Sequence, residues 1–309
     1  MSDGKFQDPG VDPEAVAAPG PGDKAAPPDG VFGRSAPIGE SLGRGGVERL
    51  SRKFYADVHW RKDHVVVADG IVKRFRKLGD IPAQAGDELY VDAMLPSRFQ
   101  EFEELLNRGV RVFYLRRTDV LEKYREKKSD EDDARALMRI PQHLFRELIG
   151  KELEVRRLLH KYTTTKSHME LVKQLSREAD DEETRAHYRH LINHLRRRKY
   201  KLAKEIDALA RNFLPVQQIA WKLGIISNNC LFGRVALVQL LLYVDFSLGL
   251  RKILTYTGNY YPNDGRYSRT LKDATESLTI SVKRRQKIKG KEVREVLKTI
   301  KNVLKAMKR

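Results

Sequence analysis

Between residues 52 and 117 hydrophobic and polar residues alternate, a spacing typical of β-strands. Five short segments rich in β-branched and aromatic residues carry this pattern: 52–60, 63–70, 71–78, 88–95 and 110–117. Polar turns separate the first three segments, which predicts a three-stranded antiparallel meander. Before the fifth segment, a helix is predicted to begin at Pro96 and to end at Gly109. This order of elements predicts a mixed sheet in an α/β domain.

Residues 141–212 have a helical period and many charged residues instead. In the second half of this stretch, seven positions recur at steps of four and three, which is the spacing of a coiled-coil seam. They are Tyr188, Ile192, Leu195, Lys199, Leu202, Ile206 and Leu209, with the lysine interrupting the seam. The acidic stretch at 178–184 is the predicted reversal point. We therefore expect an antiparallel helical hairpin.

Pro215 separates this hairpin from a last segment, which opens with an apolar run around 235–246 and closes with a lysine-rich helix. The start of the chain is different in kind, because the first 50 residues hold 10 of the 21 glycines and 7 of the 12 prolines. Such a composition predicts disorder. The predicted organisation is a disordered tail (1–50), an α/β domain (51–140), a helical hairpin (141–214) and a basic, mostly helical domain (215–309).

The formal net charge of +18 indicates a polyanionic partner, since each phosphate neutralised by lysine or arginine releases counterions. Nucleic acid is the expected partner, and a membrane surface is the alternative. No segment approaches 18 uninterrupted apolar residues, so a spanning helix is not expected. The single cysteine, Cys230, excludes an intramolecular disulfide and a zinc site of several thiolates. Without a secretory signal in the sequence, we expect a cytoplasmic protein.

Four acidic residues, 130–133, stand in a row inside this basic chain. One explanation is a helix start, with Ser129 as N-cap, Asp132 completing a capping box, and the helix dipole favouring acids in the first turn. That explanation leaves out Asp130 and Asp133, which are spaced to share one face of the helix. Two carboxylates so close repel each other unless a cation lies between them, and Mg²⁺ or Mn²⁺ suits carboxylate oxygens best.

Two further carboxylates, Asp57 and Asp92, lie in otherwise apolar strand segments. Taken alone, each has the alternative explanation of a strand residue that faces solvent on an open side of the sheet. Together with Asp130 and Asp133 they can form a site for two divalent ions acting on a phosphodiester, if all four meet at one end of the sheet.

Three stretches carry a family resemblance: "ADVHWRKDHVVV", "LYVDAMLPSRFQEFEELLNRGVRVFYL" and "KSDEDDARAL". They resemble the acidic motifs of the DEDD transposases, the insertion-sequence family numbered one hundred and ten, which includes the pilin-gene invertases. The resemblance covers about residues 52–305. It implies a RuvC/RNase H-like fold and catalytic, metal-binding roles for Asp57, Asp92, Asp130 and Asp133, with Mg²⁺ or Mn²⁺ as cofactor. Asp92 stands where the family has Glu, so its carboxylate reaches one methylene less far.

The resemblance extends to the C-terminal segment. "CLFGRVALVQLLLYVD" resembles the family's helix-hairpin-helix-like region, with Gly233 at the hairpin position and the usual Pro-Gly-Ile-Gly degraded. The family also implies a serine nucleophile that joins DNA covalently. Ser277, followed by Gly290 and a basic helix, fits the family spacing. Ser268 and Ser281 are alternatives, and each of the three can equally be an ordinary polar surface serine.

The function that the resemblance implies is that of a transposase or site-specific recombinase, acting as a homo-oligomer on double-stranded DNA with a structured guide RNA. The expected nucleic-acid-binding residues are Gly233, Arg234, Lys283, Arg284, Arg285, Lys287, Lys289, Lys291 and Arg294. Two alternatives remain open, a RuvC-type nuclease that hydrolyses with water and a non-catalytic nucleic-acid-binding scaffold. Trp60 and Trp221 are expected in the core, and His59 is expected at most beside the metal ligands.

Overall fold

The structure, a computed structural model, describes residues 51–260 and 267–308. The predicted disordered tail, residues 1–50, lies outside the described residues. All described residues belong to one compact unit, Arg49–Arg309, and the predicted domain boundaries at 140 and 214 remain predictions. The fold is mixed α/β, with a six-stranded sheet followed by a larger helical part.

The sheet has the strand order β3-β2-β1-β4-β5-β6. β1, β4 and β5 are parallel to one another, and the remaining pairs are antiparallel. The strands are β1 (Lys53–Asp57), β2 (His64–Ala68), β3 (Ile71–Phe75), β4 (Glu88–Val91), β5 (Arg111–Leu115) and β6 (Phe145–Glu147). The predicted meander and the fourth and fifth strands are confirmed.

β6 corrects the prediction that the chain is helical from residue 141 onward. It is only three residues long and pairs antiparallel with β5, where Leu115 faces Phe145. So short a strand has too few residues to display a period of two, and its pairing with a distant strand decides its conformation.

Three helices that follow strands of the sheet pack beside it: α1 (Phe99–Asn107), α2 (Leu121–Tyr124) and α3 (Asp130–Arg139). α1 follows a 3-10 turn at Pro96–Arg98 and buries Phe99, Phe102 and Leu105. Gly109 ends this connection with a φ of 79°, a conformation that favours glycine.

Successive residues of each strand face opposite sides of the sheet, and this alternation positions the candidate site. On one side Ala56 and Val91 belong to the core that contains α1. On the other side the rings of Tyr55 and Tyr90 stack with centroids 5.1 Å apart. Asp57 and Asp92 lie two residues after these tyrosines, so they share their side of the sheet. α3 packs on β1 and β2, and its Ala134 contacts the core residues of β2 on this same side.

The predicted helical hairpin is confirmed as α4 (Gly150–Glu178) and α5 (Glu182–Ala210). The reversal falls at residues 179–181, and Asp181 caps α5 by accepting a hydrogen bond from Thr184 N at 2.6 Å. Of the predicted seam, Leu195, Leu202 and Ile206 are buried.

The C-terminal part consists of α6 (Val216–Leu223), α7 (Leu231–Tyr243), α8 (Leu250–Tyr256), α9 (Arg269–Lys283) and α10 (Gly290–Ala306). Together with the ends of α4 and α5 they enclose the largest core. Within the described ranges no single helix is long and apolar enough to cross a membrane, and one pair bent by 107°, Val216–Leu223 with Asn228–Tyr243, passes that test only when combined.

Candidate metal centre

The first two aspartates of the candidate site lie side by side because of the sheet topology. Neighbouring parallel strands end at the same edge, and Ala56 of β1 is paired with Val91 of β4. Asp57, the last residue of β1, therefore lies beside Asp92, the residue that follows β4. Asp92 is tied to this position because its Oδ1 accepts a hydrogen bond from Val58 N at 2.8 Å.

The other two aspartates come from the first turn of α3. Ser129 Oγ accepts a hydrogen bond from Asp132 N at 3.2 Å, so the predicted N-cap is confirmed. The predicted capping box is wrong, because the Asp132 carboxylate accepts from the backbone N–H groups of Glu126 and Lys127 instead. Because α3 packs on β1, Asp130 lies close to the end of that strand, where its Oδ2 is 3.5 Å from His59 Nε2.

Asp57, Asp92, Asp130 and Asp133, which we call the aspartate cluster, interact electrostatically across these elements. Burial raises the pKa of Asp57 to about 6, with His59 opposing this shift and the charges of Asp133 and Asp130 adding to it. Burial and the charge of Asp57 raise the pKa of Asp92 to about 7, against the lowering effect of the Val58 hydrogen bond. The structure thus brings together the four residues that the sequence singled out.

His59 belongs to the same site, beyond what the sequence predicted for it. Its Nε2 lies 3.2 Å from Asp57 Oδ2 and 3.5 Å from Asp130 Oδ2. One ligand atom from each of these three residues lies within 4.8 Å of the others. This spacing suits three ligands of a single ion. In the sequence, the order Asp-Val-His at residues 57–59 was the one indication of this role. It does not indicate a metal site by itself, because the third ligand comes from α3.

The residues present fit a divalent cation. Two buried atoms, His59 Nε2 and Asp133 Oδ1, have no hydrogen-bond partner among the described residues. Two cations accompany the cluster: Lys62 Nζ lies 3.7 Å from Asp130 Oδ2, and Arg125 Nη1 lies 3.6 Å from Asp133 Oδ1. Four carboxylates with so little compensation could hold a divalent ion that accepts oxygen ligands, such as Mg²⁺ or Mn²⁺.

Gly233 does not occupy a hairpin turn, which corrects the expectation for this residue. It lies inside α7, where a Cβ would come within 2.5 Å of Ser281 Cβ. Its role is to let α7 and α9 approach closely. The turn between α6 and α7 begins instead at Gly224, which has a φ of 70°.

Arg234 cannot serve as the predicted nucleic-acid contact, because its side chain is buried. Its Nε and Nη2 donate to the carboxylate of Asp207 on α5 at about 3.0 Å, and its Nη1 donates to the carbonyls of Ile225 and Ser227. The guanidinium therefore joins the hairpin to the turn before α7. A buried arginine is so rare that the sequence favoured exposure.

Ser277 lies on α9 and lines a cleft of about 600 Å³ between the hairpin and the C-terminal helices. Lys166, Lys199 and Arg269 line the same cleft, and burial lowers the pKa of Lys199. No member of the aspartate cluster lines this cleft within the described part of the chain. The structure therefore does not bring Ser277 to the candidate metal centre of its own chain.

The two alternative serines have structural contacts. Ser268 is the N-cap of α9, where its Oγ accepts from Leu271 N at 3.4 Å. Ser281 Oγ donates to the carbonyl of Ser277 at 3.0 Å. Both hydroxyls therefore form hydrogen bonds with backbone groups of α9.

The remaining predicted nucleic-acid contacts are exposed and lie at the end of α9, in the loop after it and in the first turns of α10; together we call them the cationic face of α9 and α10. They are Lys283, Arg284, Arg285, Lys287, Lys289, Lys291 and Arg294. Two of them pair with acids on α10, Lys283 with Glu295 at 3.3 Å and Arg285 with Glu292.

A second basic surface was missed by the sequence reasoning. A cleft of about 580 Å³ lies between the sheet and the C-terminal helices, and the cations along it are Arg116, Arg146, Lys301, Lys305 and Lys308. Arg116 directly follows β5 and so lies at the sheet edge where Asp57 and Asp92 lie. Because Arg116, Arg146 and the three lysines at 301–308 come from distant segments, no local pattern in the sequence reveals the cleft.

Compared with protein-family models the chain matches none, and a search of the curated proteins also returns no match.

Proposed function

We propose that this protein is a metal-dependent enzyme that cleaves and joins DNA strands, a transposase or site-specific recombinase of the DEDD type. The observation that carries the proposal is the convergence of the four aspartates at the carboxyl edge of β1 and β4. The strand order, with β1 central and parallel to β4, supports a RuvC/RNase H-like assignment. The resemblance of the three acidic motifs supports the family.

The residues of the cluster have separate tasks in this proposal. Asp57, Asp130 and His59 provide three ligand atoms for one ion, and Asp92 and Asp133 extend the carboxylate set. Bound Mg²⁺ or Mn²⁺ would polarise the phosphodiester and activate the attacking hydroxyl. Around the cluster, burial favours proton uptake by the carboxylates, which cation binding reverses.

The proposed partners are double-stranded DNA and a structured guide RNA, and the proposed place of action is the cytoplasm. The basic cleft between the sheet and the C-terminal helices and the cationic face of α9 and α10 offer two surfaces for phosphate backbones. A homo-oligomer is also proposed. Ser277 lies in a cleft that the aspartate cluster of its own chain does not line, so a second subunit would have to supply the acids that activate it.

The position of Ser277 also favours a second candidate, a RuvC-type nuclease that uses the aspartate cluster and hydrolyses with water. The variant Ser277→Ala separates the two candidates. It would leave hydrolytic cleavage unchanged in a nuclease, whereas a recombinase with a serine nucleophile would lose strand transfer.

The experiment that tests the metal-dependent proposal is calorimetric titration of the protein with Mn²⁺ and with Mg²⁺. The wild-type protein should bind the ions, and Asp130→Asn should abolish or strongly weaken binding. Glu131→Gln is the matched control, because it removes the same charge from the same helical turn but Glu131 pairs with Arg74 at 3.2 Å. Equal ion binding by both variants, or no ion binding by the wild type, would contradict the metal-dependent proposal and favour a non-catalytic nucleic-acid scaffold.

A further inference from the structure

The loop between β1 and β2 presents Trp60 to solvent beside the aspartate cluster. The side chain was expected in the core, but the residue is 62% exposed. Trp221 on α6 is also exposed, at 70%, and it corrects the same expectation. A single exposed tryptophan is not unusual on a protein surface. The residues around Trp60 indicate a binding role for it.

The backbone that carries Trp60 is held in place from both sides. Arg98 donates hydrogen bonds to the carbonyls of His59 at 3.0 Å and of Trp60 at 3.2 Å. Arg98 is itself fixed by Glu101 at 2.7 Å. On the other side, His59 N donates to Nδ1 of the buried His64 at 3.1 Å. The indole is therefore displayed from an anchored backbone.

Two cations, Arg61 and Lys62, directly follow Trp60 in the loop. The guanidinium carbon of Arg61 lies 4.1 Å from the centroid of the Trp60 ring, a cation–π contact. Lys62 is largely exposed and lies 3.7 Å from Asp130, at the rim of the candidate metal centre. An exposed aromatic face, two cations and a carboxylate site thus follow one another within a few residues.

We propose that Trp60 is a stacking platform for an unpaired base of the nucleic-acid strand whose phosphate lies at the aspartate cluster. Every base has a π-face that an indole can stack on, and aromatic rings interleaved with basic residues are the usual surface for single strands. Arg61 and Lys62 then contact the phosphates that flank this base. This inference rests on the proposed function, because it places the strand by reference to the aspartate cluster.

The charges around Trp60 favour this occupant over an apolar protein segment. An apolar peptide would gain from the indole but nothing from Arg61 and Lys62. A nucleic-acid strand uses all three side chains together, and its phosphates have the charge that complements the two cations.

The chain contains two tryptophans, which allows a direct fluorescence test. In Trp221→Phe, Trp60 is the sole emitting tryptophan, and in Trp60→Phe it is Trp221. Each variant is titrated with a short single-stranded DNA oligonucleotide in the presence of EDTA, so that no metal-dependent cleavage occurs. Saturable quenching is expected only where Trp60 emits. Trp221 is a matched control because it is similarly exposed and lies in a cleft with Arg211 and Lys222.

Affinity provides the second measurement. Trp60→Ala should weaken binding of the oligonucleotide about 5- to 100-fold, whereas Trp221→Ala should leave it unchanged. Heparin, a polyanion without bases, should displace the oligonucleotide but should not quench Trp60. Equal quenching by heparin, or an unchanged affinity of Trp60→Ala with a native circular dichroism spectrum, would overturn the stacking role.

The test is independent of the metal experiment because it is made in EDTA. Quenching of Trp60 fluorescence without any Mn²⁺ binding would support the base contact and contradict the proposed metal-dependent cleavage. Mn²⁺ binding that Asp130→Asn abolishes, without quenching of Trp60, would remove only the stacking role.

Discussion

His59 Nε2 lies 3.2 Å from Asp57 Oδ2 at the point where β1 ends. This pair combines an imidazole with carboxylates in one candidate metal site. Mg²⁺ prefers oxygen ligands alone, whereas Mn²⁺ stands above it in affinity for sites that contain nitrogen. Coordination by His59 Nε2 beside Asp57 would therefore make the proposed site prefer Mn²⁺ to Mg²⁺.

Replacing His59 with Ala is expected to lower the affinity for Mn²⁺ by about tenfold or more, with a smaller effect on Mg²⁺. Calorimetric titration of both ions measures the change. His143→Ala is the control, since His143 is exposed in the turn before β6. An equal loss for both ions would assign His59 to positioning Asp57 rather than to direct coordination.

Asp92 is predicted to make the stability of the metal-free protein depend on pH. Because its pKa is raised to about 7, the folded state keeps a proton between about pH 4 and 7 that the unfolded chain releases. Its contribution to the free energy of unfolding is therefore lost as the pH rises, by at most about 1.4 kcal/mol per pH unit.

The variant Asp92→Asn should remove this pH dependence while keeping an oxygen that accepts from Val58 N. Urea denaturation in EDTA should find the variant more stable than the wild type at pH 8, with the difference shrinking toward pH 5. Parallel pH profiles for the two proteins would contradict the raised pKa.

Arg234 is predicted to act on stability and not on nucleic-acid binding. Arg234→Ala should lower the free energy of unfolding by about 3 kcal/mol, because it leaves the buried carboxylate of Asp207 with Arg211 alone. Chemical denaturation measures this loss. Lys287→Ala, on the cationic face, should change stability by less than about 0.5 kcal/mol and should reduce the salt dependence of DNA binding. The reverse pattern would restore Arg234 as a nucleic-acid contact.

Gly233 is predicted to tolerate no side chain at the contact between α7 and α9. Gly233→Ala should cost about 1–3 kcal/mol of stability, because the new Cβ would meet Ser281 Cβ at 2.5 Å. Thermal and urea denaturation of the double variant Gly233→Ala/Ser281→Gly should recover part of this loss, whereas Gly233→Ala/Ser281→Ala should not. Full stability of Gly233→Ala alone would argue against the close packing.

Local patterns determined much of this fold. Alternation of hydrophobic residues predicted five of the six strands, steps of four and three predicted the α5 seam, and Ser129 marked the start of α3. These features depend on residues close in the chain, whose periods follow from strand and helix geometry. The spacing of Asp130 and Asp133 indicated a shared helical face for the same reason.

Only the tertiary structure decided which side chains meet. β6 exists because it pairs with β5, Arg234 is buried because Asp207 approaches it from α5, and Gly233 is required because Ser281 crosses it from α9. Trp60 is exposed because Arg98 and His64 hold its loop at the surface. The sequence by itself placed Asp57 inside a strand segment, Asp92 at the end of another, and Asp130 and Asp133 at a helix start. Parallel pairing of β1 with β4, with α3 packed on β1, brought them together. Contacts between distant segments depend on how the whole core packs, which no local period encodes.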